Sequence, residues 1–167
     1  MNTLYIPIGI SGSGKTTYGN KLNVSVVCPD DIRKEITGNI SDQSNNSKVF
    51  SIYEKRLSNL AHKNKDVFAS MTHLKYSYVK NTINAYKSAN PFKVVFILFE
   101  DSLDWKKCYD RVKNDLKNGI DRSDVPEDVI RNQAERYKLV RSFVLKAKPN
   151  DFKNVESIEI IKVWSCF

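Results

Sequence analysis

Short apolar runs alternate along the chain with stretches whose apolar residues recur at helical spacing. The first run, Leu4-Tyr5-Ile6-Pro7-Ile8, is followed by a polar and apolar stretch, residues 17–22, suited to opening a helix. Val24 to Cys28 reads as a short buried strand. Pro29-Asp30-Asp31 breaks that run, and Asp30 or Asp31 is placed to cap a helix beginning near Ile32. Residues 38–47, rich in Asn, Ser, Asp and Gly, predict a loop. Val49, Ile52, Tyr53, Leu57, Leu60 and Ala61 give helical spacing over residues 49–63. Residues 65–70 read as the next strand, and residues 74–89 as a helix with Val79, Ile83 and Tyr86 on one side. Phe92 to Phe99 is almost wholly apolar, the signature of a strand covered on both faces. A helix from about Leu103 to Leu116, a polar loop over 117–125 and a helix with Pro126 in its first turn, running to about Lys146, come next. Residues 158–163 supply a last strand.

Strands separated by helices predict an α/β fold of three layers, a central parallel sheet with helices on both faces. A chain of 167 residues is expected to form one domain, 1–167, burying roughly two thirds of its unfolded surface. In such sheets the binding crevice lies beyond the carboxyl ends of the strands. Four places meet that condition: residues 9–16, Asp30 to Arg33, Ser70 to His73, and the acidic pair Glu100 and Asp101, which fits a solvated strand end equally well.

Composition changes this picture modestly. A net charge of +8 favours a polyanionic partner, although abundant Lys and Asn also suit a merely soluble surface. Cys28, Cys108 and Cys166 are odd in number and widely spaced, which fits a reducing compartment better than a disulfide framework, and no zinc-ligand spacing occurs. No apolar run is long enough to cross a membrane, and the N-terminus lacks a signal-peptide layout, so a cytoplasmic location without membrane contact is expected.

The strongest local chemistry is Gly9-Ile10-Ser11-Gly12-Ser13-Gly14-Lys15-Thr16, which satisfies G-x-x-x-x-G-K-[ST] between a strand-like run and a helix-like one. Its glycines allow a tight turn whose N–H groups point inward, and the following helix N-terminus adds positive potential for phosphates. Gly9, Ser11, Gly12, Ser13, Gly14, Lys15, Thr16 and Thr17 are therefore the candidate nucleotide-binding residues. Lys15 would reach the β- and γ-phosphates, and the Thr16 hydroxyl would ligate Mg²⁺.

Together with Asp30-Asp31-Ile32-Arg33, Met71-Thr72-His73-Leu74, Arg111 and the segment Val125 to Ile130, this loop resembles the 5′-hydroxyl polynucleotide kinase family of phages. It is also similar to the wider group of small P-loop kinases that includes zeta toxins. The resemblance covers most of the chain. It implies a P-loop kinase fold with a lid loop, ATP as phosphate donor, Mg²⁺, DNA or RNA 5′-hydroxyl ends as acceptors and a role in nucleic-acid repair. A phage-encoded chain would then work in the host cytoplasm. Asp30 is implied as the base that takes the acceptor's proton, a role that a carboxylate beside the glycine loop suits. Asp31 competes with it as a carboxylate in the acceptor site. Arg33, one turn on, is implied to grip an acceptor phosphate, and Thr72 and His73 to line the acceptor path. Arg111 and Arg122 are the cations expected over the migrating phosphoryl group, Arg122 by loop location alone. Arg131, Arg136 and Arg141 read as a basic outer face, with tracking of a nucleic-acid backbone as the alternative. The chain departs from the family at Ser70-Met71, where relatives commonly carry an Asp.

The expected activity is therefore transfer of the γ-phosphate of ATP to a 5′-hydroxyl end. Two other readings stay open: a kinase of a small acceptor such as a nucleoside, nucleotide or nucleotide-sugar, closed in by residues 38–63, and a non-catalytic nucleotide-dependent nucleic-acid binder.

Overall fold

The computed structural model describes residues 1–164, so Cys166 lies outside the described residues. Five strands form one parallel sheet in the order β2-β3-β1-β4-β5: β1 Thr3–Ile8, β2 Ser25–Val27, β3 Val67–Ala69, β4 Phe92–Phe99 and β5 Val155–Val163. Six helices connect or flank them: α1 Lys15–Lys21, α2 Pro29–Thr37, α3 Asn46–His62, α4 Tyr76–Ala85, α5 Trp105–Lys117 and α6 Glu127–Val144. The expected α/β architecture is present, each predicted element within a few residues of its place. No helix among the described residues is long and apolar enough to cross a membrane.

Alternate side chains of a strand face opposite sides, and the core divides accordingly. Leu4, Ile6 and Ile8 of β1 pack with Val94, Phe96 and Leu98 of β4 in a large cluster fed by α2 to α6. Phe68, Val95, Ile97 and Phe99 form the smaller cluster on the other side, against Tyr18 of α1. Gly19 lets α1 lie close there, since a Cβ would come within 2.6 Å of the Phe68 ring.

Two helix starts differ from the sequence expectation. Helix α2 begins at Pro29, with Cys28 as N-cap, so Asp30 and Asp31 occupy its first turn and do not cap it. Proline without an N–H suits the first helical position, and two carboxylates suit the positive helix end. Helix α6 takes Pro126 as its N-cap, with Glu127 and Asp128 in the first turn.

The acidic pair after β4 is not a solvated strand end. Glu100 and Asp101 sit in a 3₁₀ turn, Glu100–Leu103, and are 4% and 6% exposed. Arg141, expected on an outer face, instead forks onto Glu100 at 2.7 and 2.9 Å, while the Tyr137 hydroxyl donates to the same carboxylate at 2.8 Å. Burial pushes the Glu100 carboxyl up, but the Arg141 and Tyr137 bonds outweigh it and hold it below the usual range.

Candidate active site

Residues 9–14 carry the chain from the end of β1 into α1. Gly12 and Gly14 have φ of 78° and 100°, a region that disfavours any side chain. Gly12 has a second reason: a Cβ there would meet the Cys108 carbonyl oxygen at 2.3 Å. The turn is pinned from four directions. The Gly9 N–H donates to the Thr72 carbonyl (3.2 Å), Ile10 N–H to the Ser102 hydroxyl (3.0 Å) and Ser11 N–H to the Gln133 amide oxygen (3.0 Å). Arg111 donates from α5 to the Gly12 carbonyl at 3.2 Å. The N–H groups of Gly12, Gly14, Lys15 and Thr16 take part in none of these bonds. Open N–H groups, two left-handed glycines and the first turn of α1 together form a cradle that fits the phosphates of a nucleotide.

Lys15 folds back over this turn, its ammonium donating to the Ile10 carbonyl at 2.6 Å. Burial pushes it down to about 8. Nearby Arg122 pulls the same way, and Cys108, Asp30 and Cys28 oppose. That set of neighbours places Lys15 electrostatically between α5, the 118–126 loop and the start of α2. Arg111, which touches the turn at Gly12, is joined to Asp101 at 2.9 Å, and Arg122, joined to Asp115 at 2.5 Å, lies within electrostatic reach of Lys15. For a cation the chain offers the exposed Thr16 hydroxyl, with Thr17 exposed beside it. No group of three or more His, Cys, Asp or Glu able to hold a metal ion occurs among the described residues.

Next to the cradle lies a cleft of about 490 Å³ between α2, α3, the end of β3 and α4. Asp30, Arg33, Ser70 and Thr72 line its polar side, while Phe50, Tyr53, Met71 and Tyr78 form its apolar walls. Asp30 is half exposed and ion-paired with the buried Arg33. Arg33 also donates to the Asn46 side chain at 3.2 Å, tying the 38–45 loop to α2. The Tyr53 hydroxyl is buried beside Thr82 and closes no hydrogen bond among the described residues.

Two residues expected at the acceptor do not reach it. His73 is wholly buried with φ of 51°, its Nδ1 bound to the Pro7 carbonyl (2.8 Å) and its Nε2 to the Thr82 hydroxyl (2.9 Å). Burial lowers it to about 4, so it is a neutral strut beneath the cleft. Asp31 is exposed, does not line the cleft, and has Asp30, Glu35, Lys34 and Arg56 as its charged neighbours. Conversely, sequence reasoning missed Gln133, Ser102 and Asp101 as supports of the turn. Gln133 carries the one faint signal, a polar residue beside the buried stripe Ile130, Ala134 and Tyr137.

A glycine turn opening a helix at the middle strand of this sheet, with a cleft beside it, defines the P-loop kinase-like class of α/β fold. The family model of the AAA domain (AAA_33) matches residues 4–140, and the chain belongs to that family. No curated protein sequence matches it. Among solved structures, a chain of the Pnkp1/Rnl/Hen1 RNA repair complex is similar with a TM-score of 0.72 at 17% identity, over 85% of this chain and 46% of that one. The chain thus spans just under half the length of that relative. A protein of Chloroflexus aurantiacus J-10-fl described as a candidate kinase gives 0.57 at 13% identity, over 96% and 88% of the two chains. A gluconokinase of Sinorhizobium meliloti 1021 gives 0.48 at 17%, over 98% and 82%.

Proposed function

We propose that the protein is an ATP-dependent 5′-hydroxyl polynucleotide kinase acting on DNA or RNA ends, in nucleic-acid repair. The observation that carries this reading is the position of Asp30 in the first turn of α2, lining an aromatic-walled cleft together with Thr72, whose carbonyl holds Gly9 of the glycine turn. A carboxylate between an acceptor cleft and a phosphate cradle is what hydroxyl phosphorylation needs. The net charge of +8 and the likeness in fold to a chain of an RNA repair complex support a polynucleotide acceptor.

ATP would bring the phosphoryl group and Mg²⁺ would neutralise charge on its β- and γ-phosphates. Asp30 takes the acceptor hydroxyl's proton as the new O–P bond forms and the bond to ADP breaks, with no phospho-enzyme. Lys15, Arg111 and Arg122 stabilise the charge that spreads over the phosphoryl oxygens. The exposed Thr16 hydroxyl would hold the cation. The cleft walls Phe50 and Tyr78 hold the terminal base.

The cleft itself favours a second reading. Its α3 wall encloses a volume suited to one nucleoside, and such a pocket would serve a kinase of a small acceptor. Transfer of γ-labelled phosphate decides between them. The polynucleotide reading expects 5′-hydroxyl oligonucleotides to be phosphorylated with a lower KM than nucleosides, a KM that rises steeply with salt, and activity lost in Lys15→Ala and Asp30→Asn. Transfer to nucleosides alone overturns it.

A further inference from the structure

The acceptor cleft does not end at α3. A second cleft of about 300 Å³ lies further along the groove between α3 and α4, and Glu54 lines both. The first cleft uses Phe50 and Tyr53 of α3 with Tyr78 and Asn81 of α4; the second uses Lys55, Ser58 and Asn59 with Lys87 just past α4. The two helices therefore run side by side away from Asp30 and frame one channel. About three residues of α3 separate the two centres, roughly 5 Å at 1.5 Å per residue, so the two clefts adjoin along the channel.

The chemistry changes along that channel in a directed way. Near Asp30 the walls are aromatic, and Phe50 and Tyr78 stand 38% and 41% exposed at the mouth, with Lys75 over the Tyr78 ring. Beyond Glu54 they carry two exposed ammonium groups, and neither Lys55 nor Lys87 forms an ion pair among the described residues. Ser58 and Asn59 add hydrogen-bond donors beside them. Lys34, by contrast, is committed to Asp121, and what sets Lys55 and Lys87 apart from other unpaired lysines is that they line the cleft. Stacking surfaces followed by unpaired cations are the recurring means of holding a single strand. Glu54, the one carboxylate lining both clefts, sits at the junction, where a sugar hydroxyl and not a phosphate would face it.

We propose that the α3–α4 groove is a backbone subsite for the acceptor strand. The 5′-terminal nucleoside occupies the aromatic cleft, and the next internucleotide phosphates lie on Lys55 and Lys87 of the second cleft. This rests on the polynucleotide reading and deepens it, because it assigns a preferred acceptor: a single strand of at least two or three nucleotides.

The test compares wild type, Lys55→Ala/Lys87→Ala and a charge control outside the groove, Lys153→Ala, on 5′-hydroxyl acceptors of one, two, three and six nucleotides, as DNA and as RNA. The expected result is that the KM ratio of the mononucleoside 3′-phosphate to the hexamer falls about tenfold in the double variant alone. Its log–log salt slope for the hexamer should be shallower by one to two. An equal effect of Lys153→Ala, or a KM ratio unmoved by the double variant, overturns the groove while leaving the kinase reading intact. Binding of a 3′-fluorescein hexamer to the Asp30→Asn protein, read by anisotropy, needs no turnover and separates the two claims. Tenfold weaker binding on loss of the lysines supports the groove even if no oligonucleotide is phosphorylated. A wild type that neither binds nor phosphorylates oligonucleotides overturns both.

Discussion

Arg33 is buried one helical turn beyond Asp30 and ion-paired with its half-exposed carboxylate. The same guanidinium reaches Asn46 at the start of α3 and points toward the Ile40 carbonyl at 3.5 Å. Arg33 thus aims Asp30 into the cleft and frames the loop that closes over α2. An arginine so engaged differs from one held ready for an incoming phosphate. If it positions Asp30, Arg33→Lys lowers kcat about tenfold or more with acceptor KM little changed. A planar fork with several fixed donors cannot be copied by one ammonium. If it grips the acceptor instead, KM rises and kcat stays. Asp30→Asn should lower kcat by about 10²–10⁴, the usual weight of a general base, while nucleotide affinity stays near wild type.

Gly12 and Gly38 share a left-handed backbone but not an environment. A Cβ at Gly12 meets the Cys108 carbonyl at 2.3 Å, whereas at Gly38 nothing lies within 4 Å. Gly38→Ala should therefore cost only the conformational penalty, about 1 kcal/mol. Gly12→Ala adds a backbone collision, bringing the loss to about 3 kcal/mol, and moves α5 off the phosphate turn. Urea unfolding of the two variants measures the difference. Equal midpoints would mean that α5 yields to the added methyl.

His73 gives the fold a defined response to acid. Its ring is lowered from 6.5 to about 4 by burial, although its bonds to neighbouring backbone groups oppose the shift. Between those two values the unfolded chain carries the proton and the folded chain does not. Stability is therefore complete above about pH 6.5 and falls as pH drops toward 4, by about 3 kcal/mol over the window. His73→Asn, which tolerates the positive φ at this position, should be less stable at pH 7 yet flatter between pH 4 and 6.5. Parallel stability curves for the two proteins would assign the acid sensitivity to other groups.

Much of this molecule was legible in its sequence because the signals were local. The apolar runs gave all five strands, and the spacing of Gly9, Gly14, Lys15 and Thr16 gave the glycine turn between β1 and α1. What escaped depends on residues far apart in the chain. Nothing near Glu100 shows that it is buried, because its partner Arg141 comes 41 positions later. Gln133 reaches Ser11 across 122 positions, and its own helix reveals only a polar residue beside an apolar stripe. His73 looked like a site residue because of its neighbours Met71 and Thr72, yet a positive φ turns it under the sheet end. Tyr53 was legible as a buried helix residue, but not as one that lines the cleft.

One contact crosses from the acceptor side to the nucleotide side. Lys34 on α2 is ion-paired with Asp121 in the 118–126 loop, both side chains more than half exposed. The same loop holds Arg122, joined to Asp115 at 2.5 Å and within electrostatic reach of Lys15. On the proposed function, a loop bearing that cation and fastened to α2 would serve as a lid whose closure excludes water. Lys34→Ala should loosen that fastening. Its expected signature is ATP hydrolysis without acceptor raised severalfold and a higher KM for ATP, with kcat for phosphoryl transfer within about twofold. Because the pair is exposed, about 0.5 M salt should produce the same phenotype in the wild type by screening it. The exchange Lys34→Asp/Asp121→Lys should restore tight coupling, since it keeps the attraction and reverses only its sense. If hydrolysis without acceptor is the same in all three proteins, the loop closes by other contacts and this ion pair is incidental.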